Sequence, residues 1–426
     1  MTTRALLLLG LGLLAGPAGA QAADGSLEAF LRRVRAEREA ERERLRPVVE
    51  DLVQRLGRAR AAAEVKKLQA DLDALGSEAP ALVTPFLDPG AKPEAEQEKR
   101  AEEVAAWLAR HPDPSLFEPL LRLAREGSPV GRRLALRLLG SSLERERAAA
   151  ALRTLHGELG GSLRAECVAA LARLVSDDPL VAAALGDPHP EVVAAALRAL
   201  TSEPRKKPRP EVLTLLEDGN RGADVLPELV VYLTFPGQTL DEQTVAALLR
   251  YASREDLPLE ARLCVLRGAP HLSGGMTSRV RREFDGLVTS SEAALREEAL
   301  IALTLLKDGR ARRELLKPYD DQVSSNSSWP LAYQRRGDVL LRIGEYRDAA
   351  KDYQEAIRLH DDSARLPGNR DLWINLARAQ VKDNKLKAAA DALEAFGLSS
   401  DLRRSLRADP DFQPLVEHSK YGALFE

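Results

Sequence analysis

Catalysis and metal binding need side chains that converge, and the reactive residue types of this chain are dispersed. Its six histidines, His111, His156, His189, His271, His360 and His418, stand singly, without the spacing that brings two imidazoles to one metal. His360-Asp361-Asp362 is the densest group of hard ligands, yet it lacks the alternating oxygens of a calcium loop and reads as a turn. Cys167 and Cys264 are too far apart in the chain to suggest a disulfide, which demands near contact, and read as small buried hydrophobes. No H-E-x-x-H, C-x-x-C, Walker A loop or nucleophile elbow occurs. Gly10-Leu11-Gly12 followed by Gly16 imitates a dinucleotide loop, but no βαβ unit follows it. The basic run Arg205-Lys206-Lys207-Pro208-Arg209 has the charge to grip a phosphate; its prolines make it read as a stiff, solvated connection. No catalytic residue, cofactor or metal is expected.

Composition narrows the classes further. The 426 residues carry 62 Lys plus Arg against 65 Asp plus Glu, a net charge of −3, so no basic excess is available to neutralise a nucleic-acid backbone. Aromatic residues at 4% argue against a β-sandwich or an aromatic sugar site. Ala, Leu, Arg and Glu, the residues that lose least on entering a helix, dominate, and the length calls for more than one domain. The fold class expected is all-α.

Residues 1–20, MTTRALLLLGLGLLAGPAGA, have the form of a secretory signal peptide: Arg4, an apolar run from Ala5 to about Ala15, Gly16-Pro17, then Ala18-Gly19-Ala20. The apolar run is shorter than the roughly 20 residues a membrane helix needs. Cleavage after Ala20 or Ala22 would leave an exported protein with no membrane span, periplasmic or secreted. Residues 24–76 then form an N-terminal helical hairpin or coiled coil. Ser26 is placed to cap it, and the Arg and Glu residues between Arg35 and Arg46 are spaced for ion pairs on a solvated helix face.

From 77 to 317 one pattern recurs: an apolar residue, Arg, then small and Leu positions. It starts at Gly131, Leu163, Val192, Ala261 and Leu295, with a degenerate copy near Val225 to Val231. A period of about 30 to 35 residues, built of two helices, marks units that cannot bury their apolar faces alone. The small residues Ala135, Cys167, Ala196 and Ala299 would let neighbouring helices approach closely. These residues resemble HEAT-like repeats, especially the compact bacterial form, with Leu185-Gly186-Asp187 through Leu200 the best copy. Val193 departs from the pattern where an Arg is usual, and the stretch from 209 to 236 loses it. The resemblance implies that Arg132, Arg164, Arg262 and Arg296 form a structural ladder, each pairing to an acid or carbonyl in an adjoining repeat.

Residues 318–328, with Pro318, Ser324, Ser325, Asn326, Ser327 and Ser328, read as a linker and include a formal glycosylation sequon at Asn326. Residues 329–400 change repeat type. Tyr333, Gly337, Tyr346, Ala349, Tyr353 and Ala356 in a unit starting at Pro330 resemble the tetratricopeptide repeat, as do Trp373, Leu376, Ala377, Ala389 and Leu393 in a unit starting at Arg370. The longer spacing between these starts implies an insertion at His360 to Asn369. Residues 401–426, with Phe412, Leu415, Tyr421 and Leu424, resemble a closing helical cap.

The resemblance places a groove on the first helix of each unit, at Leu331, Gln334, Asp338, Leu341 and Arg342, then at Asp371, Ile374, Arg378, Val381 and Lys382. Apolar positions flanked by Arg342, Arg378 and Lys382 would suit an extended peptide or helix with some negative charge. The carboxylate clamp of chaperone-binding relatives is absent, because Asp338 and Arg378 stand where it needs Asn. The expectation is an α-solenoid, a HEAT-like superhelix followed by a short tetratricopeptide array. Its role would be that of an exported, non-catalytic scaffold of a bacterial cell envelope that binds other proteins or peptides. The alternative is an enzyme or enzyme subunit of the HEAT-like lyase type, and the oligomeric state is open.

Overall fold

In a computed structural model of the chain the residues described are 19–201, 207–236, 238–272, 277–360 and 369–425, with side chains from Glu28 onward. The glycine-rich stretch at 10–16, most of the signal segment, Arg205, Lys206 and most of the His360–Asn369 insertion lie outside them. The described residues are α-helices and short 3-10 turns, with no strand among them, and make an all-α solenoid. The chain divides into two units, Met1–Glu203 and Pro204–Glu426.

In the first unit, three helices that carry the recurring pattern, Pro129–Leu139, Gly161–Leu174 and Pro190–Thr201, stack one on the next. The first two are each paired with a preceding helix, Phe117–Glu126 and Arg145–Glu158, and the third with the short Pro179–Ala183 turn. The stacked surfaces are those the spacing selects: Ala135, Leu139, Cys167, Ala170, Leu171, Ala196 and Leu200 are all buried. Full burial of each leucine contributes about 1.5–3 kcal/mol, and the alanines and Cys167 set the distance at which it is achieved. Cys167 is packed so tightly that its thiol, pushed up to about 12 by burial, donates to the Leu152 carbonyl at 3.0 Å. It is a structural residue and no nucleophile.

The N-terminal segment is not a separate hairpin. The helix Gly19–Arg58 runs through Pro47 without a break and packs on Ala62–Asp73, Ala79–Val83 and Ala95–Arg110, with Leu45, Val49, Leu52, Val53 and Leu56 buried along it. Pro47 is exposed, so the carbonyl it leaves without an amide partner faces water. The charged stretch behaves as a solvated face, with Arg33–Glu37 and Arg46–Glu43 pairs one turn apart at 3.0 and 2.9 Å.

The second unit continues the logic. Leu226–Leu233, Leu259–Gly268 and Ala293–Leu305 stack in order, so the weak copy near Val225 still supplies a layer through Leu226, Leu229 and Val230. The expected linker at 318–328 is not one. Residues 309–325 form a single helix with Pro318 on its exposed face, packed on Ala293–Leu305 before it and on Pro330–Arg342 after it. Helix formation wins because Ala311, Leu315, Leu316 and Val323 bury a continuous stripe, which outweighs one missing hydrogen bond and two serines. The tetratricopeptide segment therefore belongs to the same unit as the repeats that precede it.

That packing reveals a third hairpin of the same build. Ala293–Leu305, Pro330–Arg342 and Arg370–Lys382 are each 13 residues long. Each ends in a three-residue turn whose middle residue, Lys307, Gly344 or Asn384, has φ of 71°, 79° or 59°. In all three the next amide bonds back to the helix: Asp308 N–H to Leu303, Glu345 N–H to Leu340 and Lys385 N–H to Gln380. This is the Schellman closure, and only one of the three turns uses the glycine that would have marked it in the sequence.

The arginine ladder is real and mostly local. Arg132, Arg164, Arg262 and Arg296 donate to Ala124, Leu159, Ala252 and Ser290 carbonyls at 3.1, 3.1, 2.9 and 2.6 Å. Each covers carbonyls left unpaired at the end of the preceding helix, where the helix dipole favours a cation. Arg164 and Arg262 also reach Asp187 and Glu292 of the following repeat, at 2.7 and 2.5 Å.

Ala196→Arg would force a charged side chain into the contact between Gly161–Leu174 and Pro190–Thr201. A destabilisation of about 3 kcal/mol or more is expected, read as a lower midpoint in thermal unfolding. An unchanged midpoint would place the stacking face elsewhere.

Candidate groove of the tetratricopeptide hairpins

The helix crossing that defines the first hairpin depends on Gly337. A Cβ there would lie 3.0 Å from the Tyr353 ring, which is fully buried, so any larger residue would push the two helices apart. The Tyr353 hydroxyl donates to Asp338 at 2.7 Å, and burial with that carboxylate beside it pushes the phenol upward. Asp338 also accepts from the Asn375 amide at 3.3 Å, which ties the first hairpin to the second. Burial raises the Asp338 carboxyl against the lowering effect of these two neutral donors.

The expected groove residues do not form one surface. Asp338 and Arg342 open on a cleft of about 440 Å³ with Pro318, Tyr319 and Arg335. Asp371, Ile374 and Arg378 line a second cleft of about 910 Å³, closed on its other side by Phe396, Leu402 and Leu406. Leu331, Gln334, Leu341, Val381 and Lys382 line neither. Val381 is buried, Leu331, Gln334 and Leu341 are half-buried, and Lys382 is exposed.

The three cations expected to meet an acidic peptide are already engaged within the chain. Arg342 donates to both oxygens of the buried Glu298, at 2.8 and 2.7 Å. Arg378 donates to Asp409 at 2.9 Å and to the Asn375 side-chain oxygen at 2.7 Å, stands 3.1 Å from Asp411, and lies over the Phe412 ring. Lys382 lies 2.5 Å from Asp411. In the structure these charges anchor the preceding hairpin and the cap. Asp338, Asn375, Arg378 and Asp409 form one chain of polar contacts linking two hairpins to the C-terminal segment.

Sequence reasoning missed Glu297, Glu298 and Tyr319 because the hairpin carrying them was divided between a repeat and a linker. It missed Asp409 and Asp411 as ion-pair partners because the segment that carries them reads as a closing cap, in which only the apolar residues have a role. The cap buries Phe412 and Leu415 as expected, and with them Leu406 and Phe425, while Tyr421 and Leu424 are half-buried. Among the described residues no group of three or more His, Cys, Asp or Glu is placed to hold a metal ion, and no helix is long and apolar enough to cross a membrane.

The fold defines the chain as an α-solenoid. Within it, residues 330–363 match the tetratricopeptide repeat family. No curated protein matches the chain. Tetratricopeptide repeats generally mediate contacts between proteins.

The Arg378 network makes the cap sensitive to charge. Burial alone would raise Asp409, but the Asp411 N–H and the Arg378 guanidinium outweigh it and hold the carboxyl below its ordinary range. Its stabilisation is complete above the ordinary Asp value of about 3.9 and is lost as pH falls through the lower folded value. Arg378→Met is expected to cost about 1–2 kcal/mol at neutral pH in thermal unfolding, with the gap to the parent protein closing at acid pH. A gap that does not change with pH would mean that Arg378 acts through its stacking on Phe412.

Proposed function

We propose that the protein is an exported, non-catalytic scaffold of a bacterial cell envelope, periplasmic or secreted, that holds other proteins on its helical hairpins. The observation that carries this reading is the 910 Å³ cleft between the second tetratricopeptide hairpin and the cap, whose lining combines Ile374, Phe396 and Leu402 with polar groups. Mixed linings of this kind suit a peptide segment, whose backbone needs polar partners and whose side chains need apolar ones. The repeats that lead into the hairpins fit the HEAT-like pattern: small residues at the stacking contacts and an arginine ladder closing helix ends. In this reading they support the hairpins. The absence of any nucleophile–base pairing in the sequence motifs supports a binding role over the lyase-type alternative. The signal-like segment at 1–20 supports export.

Two measurements test the proposal. A photo-crosslinking residue at position 371 should capture a small set of discrete proteins in envelope extracts, whereas the same group at the exposed Leu143 should not. Identical adducts from both positions would remove the cleft as a binding site. Fractionation of cells producing the full chain should yield an envelope or secreted form whose N-terminus lies just after Ala20 or Ala22; an uncleaved form in the cytosol would overturn the export claim.

A further inference from the structure

With Arg342, Arg378 and Lys382 spent on carboxylates of their own chain, the charge left facing the groove has the opposite sign. Arg378 and Lys382 are offset by Asp409 and Asp411. Among the described residues Arg370, at the cleft edge, pairs with its neighbour Asp371 at 3.4 Å, and Asp401 pairs with Arg404 at 3.7 Å. All four of those side chains are strongly exposed, so both pairs are weak and easily exchanged. Among the residues that line the cleft the carboxylates of Asp371, Asp401 and Asp409 outnumber the guanidinium groups of Arg370 and Arg378, while Ile374, Phe396, Leu402 and Leu406 make an apolar floor.

We propose that this cleft takes a peptide segment bearing Lys or Arg beside an apolar residue, the apolar side chain on the floor and the cation at the Asp371 and Asp401 rim. The inference rests on the protein-binding reading above and adds to it the chemistry of the partner. It reverses the preference that the bare sequence suggests, since the groove cations are internal struts. Complementary charge at the rim would speed encounter and set the register of the peptide, while burial of its apolar residue supplies the affinity. An acidic segment would meet an Arg378 already held by Asp409 and Asp411.

The test uses the full chain and a random-peptide library displayed on phage, followed by fluorescence anisotropy with the selected peptides. Enrichment of Lys or Arg next to Leu, Ile or Phe is expected. The double variant Asp371→Asn/Asp401→Asn, both at exposed positions, should weaken binding about tenfold at low salt and less at high salt. Leu402→Arg, checked for an unchanged helical spectrum, should abolish it. Selection of Asp- or Glu-rich peptides, or binding that Leu402→Arg abolishes and the double variant leaves intact, would overturn the charge preference while keeping the cleft as a binding site. No enrichment, or peptides that neither variant affects, would sink both.

Discussion

Every layer of this protein depends on the close approach of helices that cannot bury their apolar faces alone. A helix pair of this size offers one stripe of leucines, and only the next pair can remove that stripe from water. Small residues at the crossings set how near the pairs come. Ala135, Cys167 and Ala196 do this in the first unit, Ala299 and Gly337 in the second. The leucine burial that these positions permit is the driving force, and the rest of the structure serves to hold its geometry.

The charged residues follow from that constraint. Stacking short helices leaves many helix ends near the core, each with unpaired carbonyls, and the ladder arginines cover them. The same economy governs the groove of the second unit. Arg342 reaches back to Glu298 and Arg378 reaches forward to Asp409, so the tetratricopeptide hairpin and the hairpin after it are each tied to a neighbour by a guanidinium as well as by packing. Half-buried ion pairs of this kind add little net energy, but once the groups are placed, removing one partner is costly. They therefore favour one register of the stack over others. A consequence for function is that the groove presents less positive charge than its composition suggests.

The hairpin Ala293–Ser325 joins the two repeat types. Its helix length and its turn are those of the tetratricopeptide hairpins, while its first helix carries the leucine and alanine spacing of the preceding repeats. It presents Glu298 to Arg342 and Tyr319 to the smaller cleft. The change of repeat type thus needs no flexible joint, and the two C-terminal hairpins are seated directly on the hairpin before them. At the other end the cap covers the last apolar face with Leu406, Phe412 and Leu415 and forms one wall of the larger cleft through Leu402 and Leu406.

The amino-acid sequence by itself determined the all-α class, the register of the stacking helices and the tetratricopeptide hairpin at 330–363. Those features rest on local periodicity: Ala, Leu and Gly recur at the spacing of a helix face, and burial follows that spacing directly. The repeat resemblance also marked the ladder arginines, but with partners in adjoining repeats, whereas Arg132 and Arg296 bond carbonyls of their own repeat. Tertiary structure alone decided the rest. Pro318 and the serines near it signal a linker, yet a buried stripe from Ala311 to Val323 overrides them, and Lys307 takes a left-handed turn where no glycine announces one. Above all, Arg342, Arg378 and Lys382 find their partners 44, 31 and 29 residues away in Glu298, Asp409 and Asp411. The net charge of a surface depends on which side chains the fold brings within reach, and chain spacing carries no record of that.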